Sequence, residues 1–189
     1  MANDPTSSQA SSSQRLFRPL TGRQYNALMP IIHRFHQEAT RAANARAYHA
    51  ACVMLGGALE GILLAMATIR SDDVETYLAT LLPADQPPKR AQDWALGHLL
   101  QLATALRWFP ARRNKHARRR LADWAHLIQE LRNLAHPGKH IRDYPTVRVQ
   151  KAHWTDAQAV FDLANSSLLD LVKSDLRADM RARGIVPLD

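Results

Sequence analysis

Between Ala50 and Ile69 the only charged side chain is Glu60, and that single run limits what the chain can become. Twenty residues, fourteen of them Ala, Leu, Gly or Met, fit either a membrane span or the buried centre of a helical domain. Three observations favour the second. Much of the run is Ala and Gly, which are weakly hydrophobic, and Glu60 at mid-bilayer would cost on the order of 3 kcal/mol. The flanking segments are amphipathic and need an apolar element to cover. The expected fold is therefore a bundle packed around this helix, running from near Asn44 to about Arg70. Gly57 and Gly61 lie one helical turn apart and leave one face almost bare, so another backbone can approach closely. A carboxylate on a buried helix needs a partner; Arg132 is the candidate partner for Glu60, and the alternative is that Glu60 points to the surface.

The remaining segments read as helices of an all-α domain, in keeping with a composition rich in Ala, Leu and Arg and thin in β-branched residues. Residues 1–18 are expected to be a disordered tail, because serines dominate and apolar side chains are few. Thr21-Gly22-Arg23-Gln24 fits a capping box. After it, Tyr25, Leu28, Ile32, Phe35, Ala39 and Ala42 recur at helical spacing, with a kink or restart expected at Pro30. His33 and His36 have a spacing that a metal can use, but no third ligand is evident nearby, and surface histidines are the simpler reading. Ser71 with Asp72, Asp73 and Glu75 reads as the start of a short extra helix that ends by Pro83. A further helix is expected from about Gln92 to Phe109, with Trp94, Leu99, Leu102, Ala103 and Leu106 facing the core. Thr155-Asp156-Ala157-Gln158 reads as a second capping box. It would open a last helix whose buried face is Val160, Phe161, Ala164, Leu168, Leu171, Val172 and Leu176. The expected domain spans residues 19–184, with a C-terminal tail at 185–189.

Cys52 lies among apolar neighbours as the sole cysteine, so an internal disulfide is excluded and a small core residue in a reducing compartment is expected. No apolar segment follows a basic start, so no secretory signal is expected and the location should be cytoplasmic. The formal net charge of +8 draws attention to polyanions, RNA among them. Six of the nine residues from Arg112 to Arg120 are Lys or Arg, namely Arg112, Arg113, Lys115, Arg118, Arg119 and Arg120. No aromatic side chains interleave with them, so this run suits phosphate contacts rather than base stacking, or else a solvated helix start.

The helix that follows carries Leu121, Trp124, Ile128, Leu131 and Ala135 as its apolar stripe, and Pro137-Gly138 should stop it. Helical spacing lets Arg132, Asn133 and His136 converge on one patch near its end. A guanidinium, an amide and an imidazole there can bind a phosphate and move a proton. The same residues also make an ordinary helix stop, since cations near a C-terminus offset the dipole. Three stretches together resemble the HEPN superfamily, the higher eukaryotes and prokaryotes nucleotide-binding domains. They are the Leu-Gly-Gly-Ala-Leu-Glu-Gly-Ile-Leu core of residues 47–64, then Trp94-Ala95-Leu96-Gly97-His98-Leu99-Leu100, then Leu131-Arg132-Asn133-Leu134-Ala135-His136-Pro137.

The resemblance implies a four-helix core and a metal-independent ribonuclease site paired across a homodimer, often in toxins or antiviral effectors of bacterial defence. It needs neither cofactor nor metal. By motif, Arg132 would hold the scissile phosphate, His136 would act as general acid or base toward the RNA 2′-hydroxyl, and Asn133 would orient one of them. Glu60 and His140 would support this site, while the basic run, with Lys139 and Arg142, would contact the RNA backbone. The interval between Arg132 and His136 is shorter than is usual in the family, and members without the full motif are binding or interaction modules. The alternative is thus a non-catalytic helical module for protein interaction or dimerisation. The expected partners are RNA, a second copy and a cognate protein; no membrane is expected.

Overall fold

The structure, a computed structural model, describes residues 15–108, 128–130, 132, 142 and 148–183 of the 189-residue chain. Among these the chain is all-α: α1 (Gly22–Asn44), α2 (Tyr48–Ile69), α3 (Ser71–Leu78), α4 (Leu96–Ala105) and α5 (Lys151–Ala182), with two 3₁₀ turns between α3 and α4. Residues 128–130 and Arg132 are also helical. The only β-type pairing among the described residues is a single bridge between Arg18 and Arg90.

The bundle is organised around α2, which touches α1, α3, α4 and α5. Leu55, Leu59 and Leu63 on α2 are fully buried, and burial of each side chain is worth about 2–3 kcal/mol. By length and composition alone α2 could cross a membrane; here its apolar side chains form the common core with Leu99, Leu100, Leu102, Val160 and Phe161. The bare face read at Gly57 and Gly61 is where α1 lies. A Cβ on Gly57 would fall 2.6 Å from the Phe35 ring, and one on Gly61 would fall 2.5 Å from Ile32. Cys52 is completely buried, and desolvation pushes its thiol pKa from 9.0 up to about 11.

The Thr21 cap forms as expected. The Thr21 hydroxyl accepts from the Gln24 amide, and the Gln24 side-chain oxygen accepts from the Thr21 amide at 2.9 Å. Several other expectations need correction. Of the kink or restart expected at Pro30, the restart does not occur, since α1 is one helix through it. Pro30 and Asn26, whose carbonyl loses its partner, are both exposed, so water can satisfy that carbonyl. The tail expectation fails at its inner end. Phe17 is buried against Trp94, and Glu75 of α3 accepts from the Leu16 and Phe17 amides at 2.7 and 2.8 Å. The short helix does start at Ser71 as expected, with Asp72 and Asp73 in its first turn, and the preceding Arg70 holds Asp73 and Asp175.

α4 is shorter than expected. Trp94 is in the core but lies outside the helix, its indole donating to the Pro88 carbonyl, and the Ala95 amide starts the helix by donating to His98 Nδ1. α5 starts before Thr155, at Lys151, where the Gln150 amide donates to His153 Nδ1 at 3.0 Å. Thr155 is therefore inside the helix, its hydroxyl donating to the Lys151 carbonyl, and Gln158 donates to Asp162 rather than to a cap. The apolar stripe of α5 is buried through Leu168, but Leu176, two turns further on, is exposed.

Candidate functional site

The expected partner of Glu60 is the one observed. Arg132 Nη1 donates to Glu60 Oε2 at 2.6 Å, across 72 positions of sequence. Two features of α2 prepare this contact. Glu60 and Gly56 share one face, a turn apart. A Cβ on Gly56 would lie only 3.1 Å from the Arg132 Cβ and Cδ, so the missing side chain makes room for the arginine stem while the carboxylate takes its head. On the other side, Ile128 is fully buried, and Gln129 lies where a Cβ on Gly97 of α4 would be 2.8 Å from its amide nitrogen. Buried Ile128 and packed Gln129 thus seat the helical turn that carries Arg132 between α2 and α4.

The pair is neither sealed nor free: the Arg132 side chain retains 36% of its exposure and Glu60 retains 26%. Guanidinium offers five N–H donors in a planar fork, and the carboxylate occupies one edge of it. The remaining donors can meet an anion arriving from solvent, with Glu60 fixing the plane. An arginine held this way is a preorganised anion contact.

Of the other sequence-derived candidates, Arg142 is helical and exposed. Asn133, His136, His140, Lys139 and the run Arg112, Arg113, Lys115, Arg118, Arg119 and Arg120 lie outside the described residues. His33 and His36 separate in role: His33 is exposed beside Gln37, whereas His36 is half-buried and stacks on Phe161 at 5.0 Å with planes 14° apart. Among the described residues no three His, Cys, Asp or Glu side chains come together as a metal would need.

A separate apolar groove of about 360 Å³ lies between α1, α2 and α5, with His36 and Asp162 on its rim and Met66 in its wall. It includes neither Arg132 nor Glu60. Gly56 was not singled out from sequence, although its place one turn before Glu60 was the available signal. Comparison with known proteins gives no match: no family model, no curated protein and no solved structure is similar to the chain.

Proposed function

We propose that this chain is a cytoplasmic, homodimeric RNA-binding protein of HEPN type. Its metal-independent endoribonuclease centre is built on Arg132, Asn133 and His136 and acts in a bacterial defence or toxin setting. The observation that supports this most is the half-exposed Arg132, pinned on α2 by Glu60 with donors to spare. A cation preoriented at low entropic cost is what a phosphate-binding centre requires. In this reading Glu60 is a positioning residue, His136 is the general acid or base, and the basic run carries the RNA backbone.

A second reading is a non-catalytic interaction module. It is favoured by the same contact seen from the other side, since a guanidinium engaged by Glu60 already has an anion. Anisotropy titration of fluorescein-labelled mixed-sequence RNA separates the two. The ribonuclease reading expects Arg132→Ala to weaken binding at least tenfold at low salt while the circular dichroism spectrum stays native. Unchanged affinity in a folded Arg132→Ala protein would sink the phosphate role of that residue.

A further inference from the structure

One face of α5 carries a line of cations that no described element covers. Lys173, Arg177 and Arg181 are four residues apart, so the helix sets them on one side at steps of about 6 Å. All three are exposed, and none has a carboxylate partner among the described residues. The acids beside them are occupied elsewhere. Asp175 is held by Arg70, and Asp179 by Arg183.

The line is not a flat surface. Lys173, Ser174, Arg177 and Arg181 border a concavity of about 530 Å³ that ends at Asp170. Asp170 also borders a second concavity, of about 370 Å³, lined by Arg107, Trp108, Leu163, Ser166, Ser167 and Leu171. The two make one trough along α5, from the end of α4 to Arg181. Among the described residues four cations, Arg107, Lys173, Arg177 and Arg181, stand against one carboxylate, Asp170, along it. Trp108 forms part of the inner wall, 1% exposed, and its indole N–H has no acceptor among the described residues. A buried donor left unmatched costs about 1–3 kcal/mol, which an acceptor entering the trough would recover if the wall adjusted to meet it.

We infer that this trough binds the sugar-phosphate backbone of single-stranded RNA, as a second contact surface distinct from Arg132. The inference rests on the RNA-binding reading and extends it. Three cations spread over two helical turns match a chain of negative charges better than one compact anion. Among the described residues the outer half offers no aromatic face for base stacking, so contact there is with phosphates and independent of sequence. A protein partner would need an apolar centre to bury, and among the described residues the only apolar side chain bordering the outer half is Ala178.

The test uses the full chain with Lys173→Gln, Arg177→Gln and Arg181→Gln combined, against fluorescein-labelled mixed-sequence single-stranded RNA over a range of salt. Affinity should fall about tenfold or more at low salt, and the slope of log K against log salt should become shallower by about 2, from three lost phosphate contacts. A charge-matched control, Arg23→Gln with Arg34→Gln and Lys151→Gln, should lose much less. An equal loss in that control would assign the effect to net charge and overturn the trough. Wild-type binding with an unchanged triple variant would overturn the trough alone, while a wild type that binds no RNA would overturn both it and the functional reading. Tighter binding of poly-glutamate than of RNA at these three residues would also overturn it, by pointing to an acidic protein.

Discussion

At the scale of single residues, Glu60 is the side chain whose setting says most. It is the one charge in an apolar run, and it survives there because Arg132 reaches it and because Gly56 clears the way. With both partners partly exposed, solvent screens the attraction, so the pair contributes about 1 kcal/mol rather than the several that a sealed pair could show. A double-mutant cycle of Glu60→Gln and Arg132→Gln, read by urea unfolding, should give a coupling energy of that size; a coupling near zero would mean that the contact does not fix the guanidinium in solution. Cys52 tests the core in another way. Its thiol is raised to about 11 by burial, above the unfolded value of 9.0, so its contribution to stability is complete below pH 9. As pH rises from there toward 11 the unfolded chain loses its proton first, and stability falls by about 2–3 kcal/mol. Cys52→Ala should remove that slope, and the native wild-type thiol should resist iodoacetamide at pH 8 until the protein is unfolded. Rapid alkylation of the native protein would contradict the burial.

At the scale of elements, contact between α1 and α2 depends on two absent side chains. Gly61→Ala would set a methyl 2.5 Å from the Ile32 side chain, and relief requires Ile32 to leave its rotamer or α1 to move outward. Overpacking of this kind costs about 1–3 kcal/mol, more than the roughly 1 kcal/mol that Ala returns in helix propensity. Guanidinium unfolding should therefore show Gly61→Ala net destabilised; a variant as stable as wild type would mean that the helices do not pack so closely. Both the glycine face and the Thr21 cap could be read from sequence, because each rests on residues within one turn of one another. The start of α5 could not. Thr155 and Gln158 have the spacing of a cap, yet the Gln150 amide finds His153 first, and nothing local distinguishes a cap from an interior Thr that bonds back to its own helix. Phe17 was hidden for a different reason. One aromatic residue in a polar stretch carries no periodicity, and its burial depends on Glu75, far away in sequence, accepting two backbone amides.

At the scale of the whole molecule, the all-α class and the central place of α2 followed from one apolar run and the patterned segments around it. The exposed end of α5 did not, because apolar periodicity persists to Leu176 although no described element covers that residue. Of the candidate site, the Glu60–Arg132 contact was legible, since a lone buried carboxylate and a motif arginine each lacked a partner. The cation line of α5 was not read as a surface, because only the fold shows that neighbouring acids are engaged by Arg70 and Arg183. The proposed function requires Arg132 and its neighbours to form a working RNA-cleaving centre. The direct measurement is incubation of the purified protein with mixed RNA in EDTA, beside folded Arg132→Ala and His136→Ala variants. The account predicts cleavage by the wild type alone, leaving 2′,3′-cyclic-phosphate ends, since 2′-hydroxyl attack needs no metal. Intact RNA after incubation with the wild type, or equal cleavage by the His136→Ala variant, would contradict it.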